Sequence, residues 1–151
     1  YWPRSKRNRP SAVEEGPASY VKEAIDFLKV ERIDHGVHCA DDPALMKHIA
    51  ESRVPLTLCP LSNLKLKVVK AIEDLPVKTF LDQGVRVTLN SDDPAYFGGY
   101  ILANFRAVQE AFQLSAGEWT QLTHNAIDGA FLSNDRRQEL RRELQTLLEN
   151  P

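Results

Sequence analysis

The chain has 151 residues, 19 Lys and Arg against 21 Asp and Glu, and a formal net charge of −2. That length suits one domain of about 100 to 200 residues and falls short of the ~250 typical of a complete β/α barrel. The near-balanced, mixed charge gives no global electrostatic case for binding nucleic acid or a membrane surface, and no run approaches the ~18 apolar residues of a membrane span.

Arg4, Lys6, Arg7 and Arg9 crowd the first ten residues beside Pro3 and Pro10 without helical or strand period. Residues 1–11 therefore read as a basic, disordered arm. No apolar stretch follows the basic start as a signal peptide would require, and the two cysteines, Cys39 and Cys59, fit reduced thiols better than a disulfide framework. A cytoplasmic protein is expected, and the cysteine spacing is far too wide for a zinc hook.

From Pro17 onward, helical and strand patterns alternate with short punctuation, the signature of β-α units and a parallel sheet. A first helix starts near Pro17, with Tyr20, Ala24, Phe27 and Leu28 on one face until Lys29-Val30. Arg32 to Val37 reads as a strand carrying Ile33, His35 and Val37 at period two. Asp41 or Asp42 can cap the next helix, with Pro43 in its first turn and Leu45, Met46 and Ile49 on its buried stripe. Pro55 to Cys59 is the second strand, with Leu56 and Leu58 alternating. After a loop from Pro60 to Leu64, a helical stretch covers roughly Lys67 to Asp74. Another helix begins at Pro76, with Phe80 and Leu81 inward and Gly84 as its stop. Val85 to Leu89 is the third strand. Beyond Gly98-Gly99, the residues Ile101, Leu102, Phe105, Val108 and Phe112 follow helical spacing. The C-terminal part is helical too, with Asp135 and Gln138 resembling a capping box and Leu140, Leu144, Leu147 and Leu148 forming a stripe. Three such strands cannot close a barrel, and an open sheet of this kind exposes edges through which it could pair with itself or a complementary piece.

Each strand ends in chemically loaded residues: Asp34-His35-Gly36, Cys59-Pro60-Leu61-Ser62-Asn63, and Asn90-Ser91-Asp92-Asp93. The C-terminal ends of parallel barrel strands are where such enzymes build active sites. Asp92 and Asp93 repel each other there, and a bound cation would compensate, one carboxylate serving as ligand and the other free to accept a hydrogen bond. Asp-Asp-Pro is also ordinary turn chemistry, since Asp caps its own backbone and Pro presets the next turn. His35 can be a satisfied core histidine, although the following Gly36 lets a ligand approach the backbone. Glu14 and Glu15 are the acids that precede the first helix closely enough to share the same mouth, or they serve as charges at its N-terminus.

Glu14-Glu15-Gly16-Pro17, Arg32-Ile33-Asp34-His35-Gly36-Val37, Leu58-Cys59-Pro60-Leu61-Ser62-Asn63 and the run Asn90 to Tyr100 together resemble the metal-dependent adenosine and adenine deaminase family, the adenine deaminase branch above all. The resemblance implies the C-terminal half of a (β/α)8 TIM barrel, an incomplete barrel with residues 12–151 as the later part of a deaminase catalytic domain. It implies zinc and the hydrolytic deamination of adenine to hypoxanthine and ammonia in purine salvage. By motif, Asp92 would be a metal ligand, Asp93 would hold the purine, His35 would orient or deprotonate the attacking water, and Glu14 would protonate the ring. The family also uses a His-x-His pair, for which this chain has no counterpart, and a third His where Ser11 stands. With Asp92 the one expected ligand left, zinc binding by this chain alone should be weak and its own turnover absent. A non-catalytic half-barrel that works by pairing with a complementary half or with itself is the reading of the other class.

Overall fold

Three short parallel strands, β1 (Ile33–Asp34), β2 (Leu56–Leu58) and β3 (Val87–Leu89), form one open sheet in the order β1-β2-β3. The computed structural model describes residues 18–150, so Glu14 and the basic arm of residues 1–11 lie outside the described residues. Ile33 stands opposite Leu56 and Leu56 opposite Val87, while Asp34, Thr57 and Thr88 share the next level. The ladder continues past the strand ends, with His35 N–H donating to Thr57 O at 2.9 Å and Asn90 N–H to Leu58 O at 2.8 Å. Because all three strands run the same way, His35, Cys59 and Asn90 emerge together at one edge of the sheet.

All three strands are shorter than the apolar runs that announce them. His35 (φ 67) and Gly36 (φ 78) both take left-handed backbone, which turns the chain off the sheet after Asp34 and into a 3-10 turn at Val37–Asp41. Gly36 serves that turn and its packing: a Cβ there would lie 3.3 Å from Leu56 and 3.5 Å from the Cys39 sulfur. Its lack of a side chain thus admits Leu56 and Cys39, where the sequence had suggested room for a ligand.

Ile33, Leu56, Leu58 and Val87 are fully buried under the helices. Each such aliphatic side chain contributes roughly 1.5–3 kcal/mol by leaving water. Helix α1 (Ala18–Asp26) covers this layer with Val21, Ala24 and Ile25, whereas Tyr20, Phe27 and Leu28 are 52%, 81% and 56% exposed. The expected face is thereby corrected: the helix ends at Asp26, and Phe27 and Leu28 fall in the turn closed by Lys29 (φ 51). Helix α2 (Pro43–Ser52) forms as its sequence dictates. Asp42 Oδ1 accepts from Ala44 N–H at 2.9 Å and Leu45 N–H at 3.1 Å, Pro43 opens the first turn, and Leu45, Met46 and Ile49 face the core.

The segment expected to be a loop is helix α3 (Pro60–Lys65), and the segment expected to be helical, residues 67–74, is a run of turns ending in a 3-10 turn at Ile72–Asp74. Pro60 presets the first helical turn, and Lys67 (φ 61) ends the helix by sending the Val68 N–H back to Asn63 O at 2.9 Å. Helix α4 (Val77–Asp82) buries Phe80 and Leu81 and stops at Gly84 (φ 72), as its pattern indicates. Short α5 (Pro94–Phe97) leads into α6 (Ile101–Phe112), whose buried residues are Asn104 and Val108, while Ile101, Leu102 and Phe105 remain exposed.

The C-terminal part divides into α7 (Ala116–Gly129) and α8 (Asn134–Glu149). The reciprocal capping box belongs to α7, where Ser115 and Glu118 exchange bonds, and those bonds hold the Glu118 carboxyl below its ordinary range. The cap of α8 is Ser133, whose hydroxyl accepts from Arg136 N–H, in place of the expected Asp135-Gln138 pair. Helix α7 lies along the outer edge of β3, with Asn125 Nδ2 donating to Val87 O at 3.0 Å. One edge expected to be open is thus covered by a helix. Among the described residues, no helix is long and apolar enough to cross a membrane.

Cys39 is 1% exposed in the core. Burial pushes its thiol from the ordinary 9.0 up to about 12, a backbone hydrogen bond partly opposing this and the charges of Asp41 and Asp42 adding to it. The folded chain resists losing this proton more than the unfolded chain does, so stability declines as pH rises above 9.0 toward 12. Cys39 is expected to resist alkylation by iodoacetamide at mildly alkaline pH until the chain is unfolded, as mass mapping would read; equal rates folded and unfolded would contradict its burial.

Candidate active site

The C-terminal edge of the sheet opens on a cavity of about 290 Å³ lined by Arg32, Asp34, His35, Thr57, Cys59, Asn90 and Asp92. One ligating atom each of His35, Cys59 and Asp92 lies within 4.8 Å of the others. His35 arrives at the end of β1, Cys59 at the end of β2, and Asp92 three residues beyond β3. His35 and Cys59 are buried and Asp92 is exposed.

Asp92 (φ 55), like His35, takes left-handed backbone. Such conformations cost non-glycine residues of order 1–3 kcal/mol and persist where the surroundings fix them. For Asp92 the fixing partner is Ser62 of α3, whose hydroxyl donates to Oδ2 at 2.7 Å. For His35 it is the ladder bond to Thr57 and the side chain of Asn63, whose Nδ2 stands 3.4 Å from His35 Nδ1. An amide nitrogen can only donate, so Nδ1 accepts in this geometry, and a neutral ring then carries its proton on Nε2. Asn63 also accepts the Cys59 N–H through Oδ1 at 3.3 Å. Helix α3, which the sequence presented as a loop, is therefore the bracket that holds all three donors. Its Ser62 and Asn63 are fully buried because each bonds to a site residue or its backbone.

On the opposite wall, Thr57 Oγ1 donates to Asp34 Oδ1 at 3.0 Å, and Arg32 Nε stands 3.4 Å from the same oxygen. The Arg32 guanidinium also lies 4.6 Å above the Phe131 ring, which keeps a cation beside the cavity and offsets part of the charge of Asp34 and Asp92.

Asp93 stands apart from this group and does not line the cavity. Its Oδ1 accepts the N–H groups of Ala95 and Tyr96, both at 3.1 Å, at the start of α5. The turn chemistry anticipated for Asp-Asp-Pro is therefore real at Asp93, while its neighbour Asp92 turns to the mouth. Cys59, Ser62, Asn63 and Arg32 complete the site, and the sequence had assigned them no roles. The loaded character of the run Cys59 to Asn63 signalled the first three, and Arg32 opens the motif that carries His35.

The family model described as Adenosine deaminase matches residues 5–147. The chain belongs to the adenosine deaminase family. A curated relative from Cupriavidus necator, named adenine deaminase, is 51% identical over 140 residues, covering 93% of this chain and 40% of the relative. The crystal structure of adenine deaminase from Arthrobacter aurescens superposes with a TM-score of 0.86 at 43% identity, over 91% of this chain and 42% of that one. An amidohydrolase from Burkholderia ambifaria, solved with bound zinc, shares the fold at 24% identity and TM-score 0.77, over 90% of this chain and 39% of its own. The chain thus spans about two fifths of the length of these relatives, and its open three-stranded sheet matches part of their barrel.

Proposed function

We propose that the chain carries the later part of an adenine deaminase site, which hydrolyses adenine to hypoxanthine and ammonia in purine salvage with zinc as the metal. The observation that carries this reading is the meeting of His35 and Asp92 at the C-terminal mouth of the sheet. The relatives named adenine deaminase support it from the side of descent. The donor chemistry at the mouth, imidazole nitrogen, thiol sulfur and carboxylate oxygen, is a set that zinc accepts. Asp92 would be the ligand among the family's residues. Zinc there supplies acidity to water, lowering its pKa from 15.7 toward ~7.

The remaining work falls to side chains. Ser62 fixes Oδ2 of Asp92 and so sets which oxygen the carboxylate turns to the mouth. His35, with Nδ1 accepting from Asn63, presents an Nε2–H, which favours orienting the attacking water through its oxygen over removing its proton. Asp93 keeps Oδ2 to accept a purine N–H while Oδ1 caps α5. Glu14 would protonate the ring and make C6 electrophilic, a task for a carboxylic acid of raised pKa.

Alone, the chain is expected to release no measurable ammonia from adenine. Mixed with zinc and with the part of the Cupriavidus necator relative outside the matched region, it is expected to gain turnover that Asp92→Ala abolishes. An active mixture indifferent to Asp92→Ala, or a stable zinc-loaded assembly without turnover, would overturn this reading.

A further inference from the structure

The family reading uses Asp92 as a ligand and His35 as a partner of water, and it leaves the Cys59 sulfur without a task. We propose that the chain by itself holds a thiophilic divalent cation through His35 nitrogen, Cys59 sulfur and an Asp92 oxygen, with a fourth position open to water. This inference shares Asp92 with the adenine deaminase reading but stands on Cys59. The three donors come from three successive strand ends and converge within 4.8 Å. Tetrahedral coordination at ~2.0–2.3 Å brings such donors to within about 3–4 Å of one another, so closure needs side-chain adjustment and no refolding.

Each donor is already backed by a partner that fixes it. Cys59 N–H donates to Asn63 Oδ1 at 3.3 Å, which anchors the backbone bearing the sulfur. The Cys59 thiol faces Thr57 O at 3.8 Å, a weak contact that a metal–sulfur bond replaces. Ser62 occupies Asp92 Oδ2, leaving Oδ1 to turn to the cation, the kind of supporting bond that sets ligand orientation. Coordination through Nδ1 of His35 takes up the ring lone pair that Asn63 Nδ2 faces at 3.4 Å, the metal–nitrogen bond replacing that long contact.

Binding breaks the Cys59 S–H bond, releases that proton to solvent and forms the metal–sulfur bond, with no change of oxidation state. Thiolate, carboxylate and neutral imidazole together carry two negative charges, which a divalent cation balances. Sulfur in the set selects zinc, cadmium or cobalt over magnesium and calcium. With His35 serving as a ligand, this loaded form is not the deaminating one.

Titration of the purified chain with Co²⁺ tests the proposal through the near-ultraviolet thiolate-to-cobalt charge-transfer band. One ion per chain is expected to raise the band, Cys59→Ser to remove it, Cys39→Ala to retain it, and Asp92→Asn to weaken binding by about tenfold or more. Should Cys59→Ser fail to fold by circular dichroism, the Cys39→Ala chain decides, since its one remaining thiol is Cys59 and any thiolate band must come from it. Cobalt binding without the band, in the unmodified chain or in Cys39→Ala, overturns the proposal. Asp92-dependent cobalt binding without a thiolate band would sink this inference and leave the adenine deaminase reading standing. A thiolate band with no turnover in the mixed halves would do the reverse.

Discussion

Asn104→Leu is expected to destabilise the chain by about 2–4 kcal/mol, because each buried polar group left without its partner costs ~1–3 kcal/mol. Asn104 is fully buried on α6, yet its bonds reach across to α3. Oδ1 accepts the Leu61 N–H at 3.0 Å, one of the donors that a helix start leaves unpaired, while Nδ2 donates to Tyr100 O at 3.1 Å and Gly99 O at 3.4 Å. Leucine fills similar space but bonds to none of these. A Cβ on Gly99 would lie 2.3 Å from Leu61 Cδ1, so this corner has little room in which to rearrange. Loss of the Asn104 link also frees the first turn of α3, which carries Ser62 and Asn63 into the site. Urea unfolding should show a lower midpoint with an unchanged slope. A shift below about 0.5 kcal/mol would show that α3 does not depend on Asn104.

Phe80→Ala is expected to cost about 3–5 kcal/mol, the range for removing a fully buried aromatic ring. Phe80 is wholly enclosed in the core shared by α4 and the sheet. Its natural control is Phe27, which is 81% exposed just beyond α1. Phe27→Ala should change stability by no more than about 0.5 kcal/mol. Equal losses for the two variants, read by the same urea titration, would contradict the face of α1 described above.

These two phenylalanines also show where sequence pattern suffices and where it fails. Phe80 sits between Pro76 and Gly84, so local chemistry sets the helix and its length, and the apolar pair Phe80-Leu81 has only one side to face. The Asp42-Pro43 start of α2 is equally local. Around α1, several apolar residues compete for the core, and which stripe wins depends on where the helix ends. On α6, Ile101, Leu102 and Phe105 look inward by composition, yet the buried position belongs to Asn104 because its partners lie on α3. Periodicity carries no information about a partner more than forty residues away. The same holds for α3, whose Ser62 and Asn63 suggest a loop until Asp92, His35 and Cys59 are placed around them.

At the site, His35 and Asp92 were legible because apolar runs lead into both, and parallel strands bring their ends to one side. The joining of Cys59 to them was not legible. Its separation from Cys39 argued against a zinc hook, and nothing in the linear order pairs a cysteine just past one strand with a histidine and an aspartate beyond the ends of its two neighbours. The sheet register supplies that pairing. Asp93 illustrates the converse: the modest local reading, a cap for α5, describes what Oδ1 does.

Register also sets which insertions and deletions the site can survive. A residue added to the exposed turn of Phe27 to Lys29 would be taken up between α1 and β1 without disturbing the order of side chains in β2. A residue added inside Leu56–Leu58 would slide the strand by about 3.3 Å and exchange its two faces, since successive side chains point opposite ways. Leu58 would leave the core, and the Cys59 sulfur would be carried away from His35 and Asp92 in the same movement. Chain-length variation is thus tolerable in the connections and prohibited in three residues, where packing and chemistry are indexed to the same count.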